Sequence, residues 1–197
     1  LGKLRYFKAC IVWLVFCSLF FYGWWNPLYL FYIIGSLIFN HIVGIYLVED
    51  KNINFINDKQ RKKYLLRIGI IVNIVLLGYF KYTDFFISNI NVLFNGSYDL
   101  RNIVLPLAIS FFTFEQIAFL VDAYNGKAKK YDFFSHCLFV TFFPQLIAGP
   151  IVHHNEILPQ YRNNNIFSFN TSNLSIGITI FVIGLFKKVI LADNVSF

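Results

Sequence analysis

From Leu28 to Val48 the chain carries no Asp, Glu, Lys or Arg. A run of that length matches the roughly 20 apolar residues an α-helix needs to cross a bilayer. Comparable blocks recur at Ala9–Trp25, Leu65–Phe80, Ile103–Val121, Phe133–Val152 and Leu174–Ala192. With 57% of the 197 residues hydrophobic and 14% charged, the polar surface of a soluble domain is missing. The expected fold is all-α: a polytopic transmembrane bundle of about six segments, one interrupted by Pro and Gly. Residues 1–197 read as part of a single membrane-embedded domain. The chain starts at Leu1 and holds no Met, so further sequence is expected at both ends.

The connecting stretches carry the charge. Lys3, Arg5 and Lys8 precede the first block, and Trp24, Trp25, Asn26 and Pro27 close it as an interfacial turn. Glu49–Tyr64, Lys81–Asn102, Asp122–Asp132 and His153–Asn173 read as loops, with an interfacial amphipathic helix allowed around Phe85–Phe94. The third block is short unless Arg67 snorkels. Six crossings gather every Lys and Arg on one side except Lys81, Arg101 and Arg162. That bias places the basic side, with the N-terminus, in the cytoplasm of a multi-pass protein of the cell's inner (cytoplasmic) membrane. A re-entrant fifth block would reverse everything after it. The net charge of +7 follows from this bias, and no basic soluble module points to nucleic acid. Cys10, Cys17 and Cys137 lack metal-ligand spacing and read as small buried hydrophobes, so no metal is expected.

Leu105–Val152 holds the groups a lipid-facing helix would avoid. Glu115 and Gln116 lie inside one apolar block, with Asp122 at its end. Helical spacing puts Ala108, Phe111, Phe112, Glu115, Phe119 and Asp122 on one stripe, with Ser110, Thr113, Ile117 and Leu120 opposite. Pro144, Gln145, Gly149 and Pro150 interrupt the next block. Intramembrane acids mark cavities or paths, and a broken helix frees backbone groups that bind polar ligands. The plainer alternatives are a helix–helix hydrogen bond through Glu115 and a purely structural kink. His41 reads as an interhelical hydrogen-bonding group. His153 and His154, being adjacent, do not form a metal pair. His136 lies near the start of the fifth block. No nucleophile, zinc or phosphate-loop motif occurs.

The wording of this stretch resembles a known family. Ile109-Ser110-Phe111-Phe112-Thr113-Phe114, Val121-Asp122-Ala123-Tyr124 and Phe143-Pro144-Gln145-Leu146-Ile147-Ala148-Gly149-Pro150-Ile151-Val152 are similar to the membrane-bound O-acyltransferases. The branch is that of the alginate O-acetyltransferase membrane subunit. Phe20–Tyr29, Gly78–Tyr82 and Gly184–Asp193 fit in register. Gln145-Leu146-Ile147-Ala148 favours this branch over the D-alanyl-transferring one. The resemblance implies an enzyme that moves acetyl groups from a cytosolic donor, acetyl-CoA, toward hydroxyls of an exported polysaccharide, alginate-like or peptidoglycan. It also implies an extracytoplasmic acetyltransferase partner protein. The family's catalytic His is expected beyond Phe197, so no catalytic residue is assigned within the chain. Glu115, Gln116, Asp122, Pro144, Gln145, Gly149 and Pro150 would line one wall of the cavity. His153 stands where the branch often has Arg, and Glu115 where many relatives have Gln. The rival readings are a polysaccharide exporter or other secondary transporter, and a non-catalytic envelope scaffold.

Overall fold

The computed structural model describes residues 2–48, 55–128, 132–147, 149 and 169–195. It divides into two units, Leu1–Arg162 and Asn163–Phe197. The described residues are helical, with no strand among them. In the first unit α1 spans Gly2–Trp25, α2 Pro27–Val48, α3 Phe55–Phe94, α4 Ile109–Tyr124, α5 Phe133–Thr141 and α6 Phe143–Leu146. The second unit holds α7, Thr171–Phe186, which continues through a π-helical stretch, Lys187–Ala192, into a last turn, Asp193–Val195. Three helical stretches are long and apolar enough to cross a membrane: Pro27–Val48, Lys59–Phe94 and Thr171–Val195. Together with the shorter apolar helix Lys8–Trp24, they make this a helical membrane protein.

Helix α2 is the hub of the first unit, packing on α1, α3, α4 and α5. Asn26 makes the turn into it, its side-chain oxygen accepting from the Leu28 N–H at 2.9 Å. Two glycines set close approaches. A Cβ on Gly44 of α2 would lie 2.4 Å from Cε1 of Phe119 on α4, and one on Gly69 of α3 would lie 2.7 Å from Cδ1 of Leu120. Small residues at such crossings let helices pack without a hydrophobic driving force between them.

Several boundaries differ from expectation. Leu65–Phe80 is not a separate span followed by a loop, because α3 runs through it unbroken for 40 residues. At 1.5 Å per residue it is about 60 Å long, twice a typical hydrocarbon core. Its polar residues do not break it because helical hydrogen bonds are internal to the backbone. The Lys81 ammonium lies 5.5 Å from the Tyr82 ring centroid. The Asp84 carboxylate accepts the backbone N–H groups of Arg101, at 2.8 Å, and Ile103, at 3.3 Å. The fourth helix starts at Ile109 rather than Ile103, since Ala108 is left-handed (φ 56°). It ends at Tyr124, so Asp122 is helical rather than part of a loop.

Helix α5 stops earlier than the prolines suggested. It has nine residues and ends at Phe142, whose backbone turns extended (φ −54°, ψ 106°). Pro144 has no N–H to continue the ladder. It sits instead in the first turn of α6, where its missing donor is not needed. The Phe143 N–H donates to Ser18 Oγ on α1 at 3.4 Å. At the other end Asp132 caps α5, accepting from the Ser135 N–H and hydroxyl at 3.3 and 2.7 Å. Pro150, His153, His154 and the first part of Glu49–Tyr64 lie outside the described residues.

Candidate functional site

The first unit is layered along its helices. One apolar cluster joins Ile11, Val15 and Tyr22 of α1 to Ile33 and Leu37 of α2, Phe112 of α4 and Leu138–Val140 of α5. A second joins Val43 and Leu47 of α2 to Phe119, Leu120 and Ala123 of α4, with Leu65 and Leu66 of α3 against them. Between them, on the same helices, lie the buried polar residues Ser36, Asn40, Asn73, Glu115 and Gln116.

Amides and a hydroxyl knit this layer together. Asn40 Nδ2 donates to Asn73 Oδ1 at 3.2 Å, and Asn73 Nδ2 returns to Asn40 Oδ1 at 2.7 Å. Each Asn also donates to the carbonyl four residues earlier on its own helix, Ser36 O at 2.9 Å and Gly69 O at 2.8 Å. Gln116 Nε2 donates to Ser36 Oγ at 3.2 Å. The set thus links α2, α3 and α4 with its amide groups paired. Leaving one unpaired would cost about 1–3 kcal/mol. Acids and helix breaks in the sequence do not point to Ser36, Asn40 or Asn73. A signal was there: two asparagines and a serine inside otherwise apolar runs.

The predicted site residues divide. Glu115 and Gln145 do meet, with Gln145 Nε2 donating to Glu115 Oε1 at 3.4 Å, so α4 is tied to the short helix after the break. Gly149 joins them, its N–H donating to the Gln145 carbonyl at 2.8 Å. A Cβ there would fall 2.3 Å from Gln145 Cγ, so the position admits only glycine without a shift. Gln116 faces the Ser36 network instead. Asp122, two turns further along α4, is buried, and its carbonyl accepts the N–H groups of Lys127 and Ala128 at 2.9 and 3.1 Å. Pro144 is exposed. The expected stripe on α4 also needs correction. Phe111 is 40% exposed while Thr113 and Leu120 are buried. At 100° per residue the buried face centres between Phe112 and Ala123, and Glu115 and Asp122 lie along one of its edges.

The histidines pack by their rings. His41 lies edge-on to Phe133 at 5.2 Å and beside His136 at 5.5 Å, and the His136 ring lies tilted against Phe119 at 4.5 Å. Of the cysteines, Cys137 is buried, while Cys10 and Cys17 are only half-buried. Among the described residues no group of three His, Cys, Asp or Glu is placed to hold a metal ion.

A bundle with a paired polar layer between two apolar clusters, and a broken helix bonded to it, defines a polytopic membrane protein with a polar interior. The comparisons narrow the class. The profile of the membrane-bound O-acyltransferase family matches residues 123–197. A peptidoglycan O-acetyltransferase of Helicobacter pylori is 42% identical over 94% of this chain and 39% of its own length. A probable alginate O-acetylase of Pseudomonas syringae pv. tomato is 31% identical over 93% of this chain and 35% of its own. One from Pseudomonas aeruginosa is 29% identical over the same shares. No solved structure matches. Along most of its length the chain is thus similar to proteins of the membrane-bound O-acyltransferase family. It spans 39% and 35% of the length of the first two relatives.

Proposed function

We propose that residues 1–197 belong to an O-acetyltransferase of the cytoplasmic membrane that moves acetyl groups from acetyl-CoA toward hydroxyls of an exported envelope polysaccharide. The observation that carries this is the 42% identity, along 94% of the chain, to a protein named for peptidoglycan O-acetylation. The two probable alginate O-acetylases extend it to a second glycan. The relatives are named for acyl transfer, and nothing in them favours the exporter reading.

In this reading the acceptor oxygen attacks the thioester carbonyl, the acceptor proton passes to a base, and the CoA thiolate leaves. A base must reach the acceptor proton. The resemblance to the family implies that this base is a His in sequence beyond Phe197, while His41 and His136 pack against aromatic rings. The chain's own part is the wall. Glu115 ties α4 to α6 through Gln145, Gly149 closes the turn after α6, and the polar layer of Ser36, Asn40, Asn73 and Gln116 holds α2, α3 and α4 in register. A partner protein on the far side would complete transfer to the polymer, and the N-terminus would be cytoplasmic. Tracing labelled acetyl from acetyl-CoA into envelope polymers, with and without the full gene, tests the proposal. Label that reaches the polymers equally without the gene rejects it.

A further inference from the structure

One apolar stripe of α3 stays exposed along the length of the helix. Tyr64, Ile68, Val75, Tyr79, Phe86 and Leu93 follow one another at helical spacing, and each is more than half exposed. At 1.5 Å per residue the stripe is about 44 Å long. That matches the whole bilayer, about 40–45 Å with both headgroup layers, rather than its hydrocarbon core alone. Past Phe94 the chain turns back along the last turns of α3. Two left-handed asparagines, Asn95 (φ 48°) and Asn102 (φ 50°), bound this return segment, a conformation that the short polar side chain of Asn makes accessible. Asn91 holds Tyr98 from both sides, Nδ2 donating to the Tyr98 carbonyl at 2.8 Å and Oδ1 accepting its N–H at 3.0 Å. Asp84 accepts the Arg101 N–H at 2.8 Å. An open groove of about 630 Å³ lies between helix and return, lined by Ile87, Ile90, Tyr98, Asp99, Leu100 and Arg101.

We propose that the last turns of α3 lie in a headgroup layer, and that this groove seats one bilayer phospholipid with a primary ammonium, of the phosphatidylethanolamine class. The proposal stands apart from the transferase reading. Continuity with the exposed stripe points to a lipid. Ile90 lines the groove and is also exposed beside Phe86 and Leu93, four residues before it and three after. A lipid therefore enters sideways without leaving the bilayer. Charge narrows the lipid class. A guanidinium, a carboxylate and apolar walls suit a ligand with an anion, a cation and an apolar body. The Arg101 guanidinium can grip a phosphodiester through two parallel hydrogen bonds, and the Asp99 carboxylate accepts from the ammonium. The acyl chains pass over Ile87, Ile90 and Leu100 toward the stripe. A phosphatidylglycerol headgroup brings Asp99 no cation, and the quaternary ammonium of phosphatidylcholine has no N–H to donate. Tyr98, an apolar ring with a polar tip, suits this depth. The seat is formed in advance, since Asn91 and Asp84 fix the backbone of Tyr98 and Arg101. That lowers the ordering cost of binding.

The test places the full-length protein in bilayer discs of equal parts phosphatidylethanolamine, phosphatidylglycerol and phosphatidylcholine with identical acyl chains. Native mass spectrometry then reads the lipid retained. The unaltered protein should retain phosphatidylethanolamine over each of the others by about tenfold, the size of one charge-assisted hydrogen bond. Arg101→Ala should weaken that retention by about as much. Asp99→Asn should bring phosphatidylethanolamine and phosphatidylglycerol level. Both side chains are exposed, so folding should be kept, and a thermal melt checks it. Water-soluble glycerophosphoethanolamine separates a free headgroup from a bilayer lipid, and it should displace nothing. A second measurement locates the end of α3. With Cys10, Cys17 and Cys137 replaced, a bimane on a cysteine at Leu93 should be quenched by phospholipid carrying a headgroup nitroxide. No retained lipid, as when the rest of the full-length chain or a second copy covers the groove, would overturn the proposal. So would equal retention of the three lipids, retention untouched by Arg101→Ala, displacement by the soluble headgroup, or an unquenched probe at Leu93.

Discussion

Asn40 and Asn73 each spend one amide hydrogen on their own helix and another on the partner helix. Removing one leaves the other buried and half-paired, so Asn40→Leu should destabilise by about 1–3 kcal/mol. The Asn40→Leu/Asn73→Leu pair should recover part of that, because both polar groups are then gone. Thermal unfolding of the full-length protein in detergent measures both, and equal, additive losses would mean that the two amides do not act together. Gln145 carries a different expectation. Its contact with Glu115 is long, at 3.4 Å, and Gln145 is half-buried. Gln145→Ala should therefore lower acetyl transfer several-fold while leaving protein level and insertion intact. Unchanged activity per molecule would reduce Gln145 to packing. The sequence exposed Glu115 and Gln145 because an acid in an apolar block and an amide beside a proline are costly there. It hid Asn73, because an amide that another amide satisfies carries no local mark. Only the packing of α2 on α3 creates that pair.

The helices were legible as blocks and illegible as lengths. Hydropathy marks where lipid contact is tolerated, whereas the backbone ladder decides where a helix ends. Helix α3 therefore passes through Lys81 and Asp84 without stopping. The same reasoning makes Asp84 a clasp on the return segment rather than a loop acid. Asp84→Ala should speed amide hydrogen exchange at Arg101 and Ile103, whose N–H groups it holds, while α3 itself stays protected. Unaltered exchange at those two amides would contradict the assignment. The start of α4 was hidden too, because a left-handed Ala108 is not a signal that composition carries. Helix contacts offer a sharper test. A Cβ on Gly44 would meet the Phe119 ring, and one on Gly69 would meet Leu120. Gly44→Ala and Gly69→Ala should each destabilise by about 1–3 kcal/mol, the usual cost of overpacking. Shortening the facing side chain with Phe119→Leu should relieve the first. A melting temperature that neither glycine change lowers would mean the crossings are looser than this.

At the scale of the first unit the described bases of the α3 start and of the α4–α5 connection collect at one end. Leu65 and Leu66 of α3 and Ala128 share an apolar cluster with the end of α2, so the Lys59–Arg67 stretch and Lys127 flank the same end. At the opposite end Phe80 packs in the other cluster, and the Tyr29 hydroxyl donates to the Val104 carbonyl in the return segment that carries Arg101. If the basic end is cytoplasmic, single cysteines reveal it once Cys10, Cys17 and Cys137 are replaced. Gln60, Lys127 and Ser97 are suitable positions because all three are exposed. Ala128, 5% exposed, would resist a reagent by burial alone. Cysteines at Gln60 and Lys127 should resist a membrane-impermeant thiol reagent in intact cells, while one at Ser97 reacts. The reverse pattern would invert the orientation. The broken fifth segment needs its own probe. Helix α5, nine residues long, rises only about 13 Å, less than half the hydrocarbon core. Whether the chain crosses there is decided after the break. A cysteine at Phe169, 80% exposed just before α7, separates the cases. It should react from outside if the segment crosses, carrying Lys187 and Lys188 to the cytoplasmic end. Protection at Phe169, with Ser97 still reactive, would make residues 133–152 re-entrant and place the start of α7 on the cytoplasmic side.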